Sequence, residues 1–376
     1  MMRLVLLTML AGLLSACATT STTTSMTTSA AASAEEREYM VTTTRPNQLN
    51  IIDLEEDRIV RKCQIPDAGM PGSVIVSPDK TIAYVLAGRW SNIYGIRLTD
   101  CEVVFSALQS KGNMRVISMV SFAISPSGDE LYTHQVRSLL KNDRYESLPT
   151  QIAVFKTGAG LDAPIVRTFD APRQVTVMKA AHDGTLFMGG KDIYRMNVQT
   201  GGWEVALYSL NHKDQNYTPR DVLSMWPLGE IYDEMFRMYT VVKWLGEPGD
   251  MENAAFKWGY ETVDLKTGVA SEKEFGDIEV VLFTGLKRPG QENRIYAVLN
   301  DLRVYDSDTQ EMVAQQDLEH AYYCLNFSMD GSKFYLAGTL SDISIHDADT
   351  LEKIGSIPMD GDMGAGNTYI FKRPRI

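Results

Sequence analysis

The feature that most constrains this chain is a phrase repeated seven times along it: an alternating apolar strand, a polar turn and a second alternating strand. The copies are "LNIIDLEEDRIVRKC" from Leu49, "IYGIRLTDCEVVF" from Ile93, "IAVFKTGAGLDAPIV" from Ile152, "IYRMNVQTGGWEV" from Ile193, and then "GYETVDLKTGVAS", "LRVYDSDTQEMVA" and "ISIHDADTLEKIG". With Asp53, Arg97, Lys156, Asn197, Asp264, Asp306 and Asp347 as equivalent points, the steps are 44, 59, 41, 67, 42 and 41 residues. The short steps match the length of a four-stranded propeller blade.

A second phrase precedes most copies: a strand, a turn of the Ser-x-Asp/Gly type, and a strand with Tyr or Phe. Ser77-Pro78-Asp79 stands before Tyr84, Ser125-Pro126-Ser127-Gly128 before Tyr132, His182-Asp183-Gly184 before Phe187, and Ser328-Met329-Asp330-Gly331 before Tyr335. Pro presets φ at the first central turn position, and Asp or Gly accepts the conformations that follow, so these are hairpin turns. The two phrases together give four antiparallel strands, a to d. Residues 38 to 64 supply only b, c and d, whereas "NTYIFKR" from Asn367 is a lone strand. The expected fold is therefore all-β: a seven-bladed β-propeller of four-stranded antiparallel blades, its ring closed by the C-terminal strand joining the N-terminal blade. Such closure removes an exposed sheet edge. A pair of β-sandwiches is the alternative for short strands with regular turns.

Ahead of the repeats, Arg3, the apolar run Leu4 to Leu14 and Leu14-Ser15-Ala16-Cys17 read as an export signal ending in a lipobox. The expectation is a signal peptide over 1–16, lipidation at Cys17, a Ser/Thr/Ala-rich flexible tether over 17–37 and a propeller over 38–376, periplasmic and held to the membrane through the lipid alone. The formal net charge is −12 and becomes −13 once Arg3 is removed, which argues against nucleic acid as a partner. Besides Cys17 only Cys63, Cys101 and Cys324 occur, with no C-x-x-C or C-x-x-C-H spacing. Covalent haem c and a four-thiolate metal site are excluded on that count, and no metal site is expected. One disulfide among the three is compatible with an oxidising compartment, with the pairing open.

In a propeller the d-to-a and b-to-c connections share one face, and the a-to-b and c-to-d turns share the other. Both long steps map to b-to-c loops, His134 to Gln151 and Lys243 to Trp258, and the d-to-a segment Asn211 to Arg220 adds to the same face. The opposite face is expected to carry only tight turns. Long loops on a rigid scaffold are where recognition concentrates. The loop "KWLGEPGDMENAAFKW" offers Trp244 and Trp258 as interface candidates, their alternative role being to pack the loop onto its own blade. No G-x-S-x-G, H-E-x-x-H or P-loop occurs, so no catalytic residue is assigned. His134, His212 and His320 map to the long-loop face, while His182 and His346 fall within the repeat. Scattered Glu, His and Arg in a central channel would permit a lactonase-type hydrolase, and a free-standing propeller binding a protein or glycan is a further alternative.

At "FDAPRQVTVMKAAHDGTLFMGGKDIYRMNVQTG", at "LEHAYYCLNFSMDGSKFYLAGTLSDISIHDADTLEKIG" and at the start, "YMVTTTRPNQLNIIDLEEDRIV" with "IPDAGMPGSVIVSPDKTIAYV", the chain resembles the β subunit of quinohemoprotein amine dehydrogenase. The resemblance covers nearly the whole mature chain. It implies a heterotrimer with a dihaem c-type large subunit and a small subunit bearing cysteine tryptophylquinone, oxidising primary amines to aldehydes and ammonia. The propeller then carries no cofactor and helps to wall the amine pocket. Its implied pocket or interface residues are Arg173 and Gln174 in one d-to-a loop and His320, Tyr322 and Tyr323 in another, with blade-locking as their alternative role. The Cys17 lipobox and the stretch "PLGEIYDEMFRMYTVVKWLGEPGD" depart from the family.

Overall fold

The computed structural model describes residues 36–67, 69–118, 120, 122–223, 229–364 and 366–376. The signal peptide, Cys17 and nearly all of the tether lie outside the described residues.

Those residues form 29 strands in seven antiparallel sheets, the blades of a seven-bladed propeller. Blade 1 begins with β1 (Glu36–Thr44), β2 (Gln48–Asp53) and β3 (Arg58–Gln64). Blade 2 is β4 (Val74–Val76), β5 (Ile82–Ala87), β6 (Asn92–Arg97) and β7 (Val103–Leu108). Blade 3 has β9 (Phe122–Ile124), β10 (Glu130–Leu140), β11 (Tyr145–Lys156) and β12 (Ile165–Asp170), with β8 (Met114–Ile117) added beside the far half of β10. Blade 4 is β13 (Val177–Ala180), β14 (Leu186–Gly189), β15 (Ile193–Met196) and β16 (Trp203–Leu207). Blade 5 is β17 (Asp221–Leu223), β18 (Glu234–Trp244), β19 (Ala254–Asp264) and β20 (Ala270–Asp277). Blade 6 is β21 (Thr284–Arg288), β22 (Gln291–Val298), β23 (Asp301–Asp306) and β24 (Glu311–Asp317). Blade 7 is β25 (Cys324–Phe327), β26 (Lys333–Ala337), β27 (Asp342–Asp347) and β28 (Lys353–Pro358). Then β29 (Thr368–Pro374) returns to blade 1 and pairs with β1 in the order β29-β1-β2-β3.

The repeat signature has a local cause. Each marker residue ends strand c or directly follows it, and where it is Asp or Asn its side-chain oxygen caps the following turn. Asp264 accepts from the N–H groups of Lys266 and Thr267, Asp306 from Asp308 and Thr309, Asp347 from Asp349 and Thr350, and Asn197 from Gln199 and Thr200. These bonds to backbone donors hold the carboxyls of Asp264, Asp306 and Asp347 below their ordinary range. In the a-to-b turns the serine does the equivalent work: Ser77 Oγ accepts from Ile82 N, Ser125 Oγ from Glu130 N and Ser328 Oγ from Lys333 N.

The ring is closed by side chains as well as by pairing. Asn367 acts as an extra backbone unit: its Oδ1 accepts from Val74 N at 2.7 Å and its Nδ2 donates to Val74 O at 2.9 Å, joining blade 1 to blade 2. Ile370 and Phe371 of β29 are wholly buried. A disulfide, Cys63–Cys101, links β3 to the c-to-d turn of blade 2, which answers the pairing left open by the sequence, and Cys324 is a buried free thiol.

Two expectations need correction. The long b-to-c insertions are not loops but extensions of the strands themselves, which pair up to Leu140–Tyr145 in blade 3 and to Trp244–Ala254 in blade 5. The reason is their composition: alternating β-branched and aromatic residues such as "FRMYTVVKW" continue the period of two. The opposite face, moreover, does not carry only tight turns. The a-to-b connection of blade 5, described from Gly229 to Asp233, reaches β29, where Gly229 pairs with Ile370 and Glu230 N donates to Ile370 O. Gly229 has φ +144°, and a Cβ there would sit 2.4 Å from the Ile370 carbonyl, so this approach requires glycine.

Candidate functional site

Two regions present chemistry outward, one on each face of the ring.

On the long-hairpin face the hairpins and the neighbouring connections carry apolar side chains into solvent. Tyr145 is 77 % exposed, Leu245 69 % and Met251 57 %, and Val136, Tyr208 and Leu210 are also exposed. At the root of the blade 5 hairpin lies a buried charge cluster. Arg237 donates to Glu261 Oε2 at 2.5 Å, to Ser209 Oγ at 2.9 Å and to Gly190 O at 2.7 Å, with both charged partners fully buried. Arg220 adds a contact to Glu261 at 3.5 Å, pairs with Glu272, and lies over the Tyr239 ring. Gly259, opposite Tyr239, lets that ring cross the strand, since a Cβ would come within 2.2 Å of it. The base of the hairpin is thus rigid and its end open.

The residues proposed from sequence fall into separate places. Arg173 and Gln174 are exposed in the d-to-a loop entering blade 4, whose backbone is held by His134 Nε2 at Pro172 O (2.8 Å) and by Thr150 Oγ1 at Ala171 O. His320 and Tyr322 both bond Asp342 at 2.9 Å, in the loop entering blade 7, with their rings 4.1 Å apart. Burial and the Asp342 carboxylate push the Tyr322 hydroxyl well above the ordinary tyrosine range. Tyr323 stacks at a tilt on Phe283, 4.6 Å between centroids. The two groups stand three blades apart in the ring. Trp258 is a core residue, 2 % exposed and stacked on Phe275, because it stands where β19 enters the stretch buried on both faces, whereas Trp244 at the end of β18 is half-buried. Trp258 and Tyr322 are thus both buried, 2 % and 1 % exposed.

On the other face, sequence reasoning missed a cavity of about 540 Å³ at the mouth of the central channel. Inner strands β4, β9, β13 and β29 wall it, and the blade 5 connection covers one side. Its apolar lining includes Phe122, Ile124, Met178, Tyr369 and Leu265. Its charged groups are Lys80, Lys179, Glu230 and Asp233, with His182 at the edge. Lys80 pairs with Glu230 at 3.1 Å, and Asp233 pairs with His182 at 2.9 Å and Lys266 at 2.7 Å. Burial works against the Asp233 charge, but the bonds from Lys266 and His182 outweigh it and lower its pKa. Lys179 Nζ donates to Glu234 O at 2.9 Å and Tyr232 O at 3.3 Å. Burial drives its pKa down to about 8, only partly offset by Glu234 and Asp233. The constellation comes from five blades, so no single stretch of sequence could reveal it. Among the described residues no group of three or more His, Cys, Asp and Glu is placed to hold a metal.

No protein-family model matches the chain, and no curated protein matches it in sequence. Solved structures do match in fold. A dihydro-haem d1 dehydrogenase, NirN, in complex with DHE aligns with a TM-score of 0.56 at 13 % identity, covering 89 % of this chain and 75 % of that one. Hydrazine synthase of Kuenenia stuttgartiensis aligns with a TM-score of 0.51 at 12 % identity, covering 84 % and 90 %. At these identities the likeness is one of fold: the chain is a seven-bladed propeller with such proteins as distant structural neighbours.

Proposed function

We propose that this chain is the cofactor-free propeller subunit of an envelope amine dehydrogenase complex. It docks by its long-hairpin face onto a small quinone-bearing subunit and a dihaem c-type subunit, and helps to enclose a primary-amine pocket. The carrying observation is the contrast within the blade 5 hairpin, a buried, ion-paired root beneath an end bearing exposed Leu245 and Met251, with Tyr145 likewise exposed at the end of the blade 3 hairpin. Apolar and aromatic side chains held out on a rigid support are what a protein interface uses. The amine dehydrogenase identity itself rests on the sequence resemblance. A structural neighbour that is a dehydrogenase is compatible with it.

Among the described residues, the state of the three cysteines supports placing a covalent cofactor elsewhere. Cys63 and Cys101 are consumed by each other and Cys324 is buried beside Thr368, with burial pushing its thiol pKa up. Quinone and haem chemistry is accordingly assigned to the partners, where the quinone would accept electrons from the amine. The role of this chain is to exclude water from that pocket and hold its partners in place.

The test is purification from native membranes with haem and quinone staining of the separated subunits. The proposal expects this chain to travel with one haem-stained and one quinone-stained polypeptide and to stain for neither. A chain that migrates alone refutes it. Neighbouring genes for a dihaem c-type protein and a small Cys/Trp-rich chain are expected as well.

A further inference from the structure

The cavity at the channel mouth has no part in the docking role, and its chemistry is specific. Its volume, about 540 Å³, lies in the range of small-molecule sites. Most of its wall is apolar, and the acidic groups on it are already engaged, Glu230 by Lys80 and Asp233 by His182 and Lys266. Glu234, next along the chain, is turned to Lys287 at 2.8 Å. Lys179 is the exception. Among the described residues no carboxylate lies within ion-pair distance of its Nζ, whose partners are two backbone carbonyls. An ammonium group has three N–H donors, so one remains for a further acceptor. A cation half-buried without a close counter-ion is costly, and an anion entering the cavity would relieve that cost.

We propose that the channel-mouth cavity binds a small monocarboxylate with an apolar body, its carboxylate pairing with the Lys179 ammonium and its hydrocarbon lying against Ile124, Ala180 and Tyr369. One positive charge that nearby carboxylates only partly offset matches a monoanion better than a dianion. The apolar wall contributes in proportion to the hydrocarbon it covers, roughly 25 cal/mol per Å² removed from water. A cationic amine is repelled by the same lysine, so this site is distinct from an amine pocket. The inference does not depend on the amine dehydrogenase reading.

Titrations of the purified mature chain with octanoate, octanamide and inorganic phosphate, followed by calorimetry, test it. Octanoate is expected to bind, and octanamide to bind at least about tenfold more weakly, the equivalent of one lost charged contact. Lys179→Met, which keeps the length and apolar stem, is expected to lose the preference for octanoate over octanamide. Lys243→Met on the opposite face is expected to keep it. Should Lys179→Met not fold, the wild-type chain answers alone: octanoate must protect Lys179 from acetylation in peptide mapping, leaving Lys243 as reactive as before. Equal affinity for octanamide, binding of phosphate in place of octanoate, no octanoate binding up to about 10 mM, or an unprotected Lys179 each overturn the proposal.

Discussion

In the inner strand β29, Ile370 and Phe371 have no solvent exposure and Asn367 is tied into the next blade, whereas Tyr145, Leu245 and Met251 at the hairpin ends are between 57 % and 77 % exposed. Both regions are antiparallel ladders built from alternating sequences. Pairing therefore does not distinguish them, and what the side chains meet does. A substitution in the inner ring should be felt as stability, and one at a hairpin end as association.

The largest effect expected from that contrast is loss of β29. Burial of Ile370 and Phe371 contributes roughly 3–6 kcal/mol, comparable with the entire net stability of a domain, about 5–15 kcal/mol. Deleting Asn367 to Ile376 should leave no cooperative unfolding transition in circular dichroism. A cooperative melt within a few degrees of wild type would break the comparison.

Next comes the root of the blade 5 hairpin. Glu261→Gln leaves Arg237 buried without its anion, at a cost of about 3–5 kcal/mol read from the denaturant midpoint. In the proposed complex the hairpin's contact with partners should then fail only through unfolding, so partner capture and stability should fall together.

Smaller again is the acid response of Glu130, at the opposite end of β10. Burial opposes its charge, but bonds from Arg167, Lys156 and Tyr132 outweigh it and bring the carboxyl to about 2, against an ordinary 4.5. Because the folded pKa is depressed, this stabilisation is complete above pH 4.5 and drains away as pH falls toward 2. It is worth on the order of 3 kcal/mol at most. In Glu130→Gln the difference from wild type should shrink across that window, and a difference that grows on acidification would contradict the assignment.

Smallest in stability are the hairpin ends. Leu245→Asp with Met251→Glu should shift unfolding free energy by no more than about 0.5 kcal/mol each, while weakening retention of partner subunits at least about tenfold. A stability loss like that of Glu261→Gln would erase the distinction between the regions.

The seven blades and their closure were legible because the information is local: an Asp or Asn at the end of strand c, a Ser in the a-to-b turn, and a period of two between them. The long insertions were legible as lengths and assigned to the right face, but their continuation as strands required following the alternation through "FRMYTVVKW". The burial of Trp258 follows from how far along β19 the neighbouring blades cover both of its faces, which no composition shows. The reach of the blade 5 connection to β29 depends on Gly229 meeting Ile370, residues 141 positions apart in the chain. Lys179 was hidden for the same reason: it sits inside a repeat phrase as an ordinary strand residue, and its surroundings are assembled from other blades.

The most direct measurement of the central claim is amide hydrogen exchange of this chain alone and within the proposed complex. The account predicts slowed exchange on assembly at the hairpin ends, residues 141–145 and 245–253, with the a-to-b turns around Lys80 and His182 unchanged. Protection confined to those turns, or none at either hairpin, would contradict it.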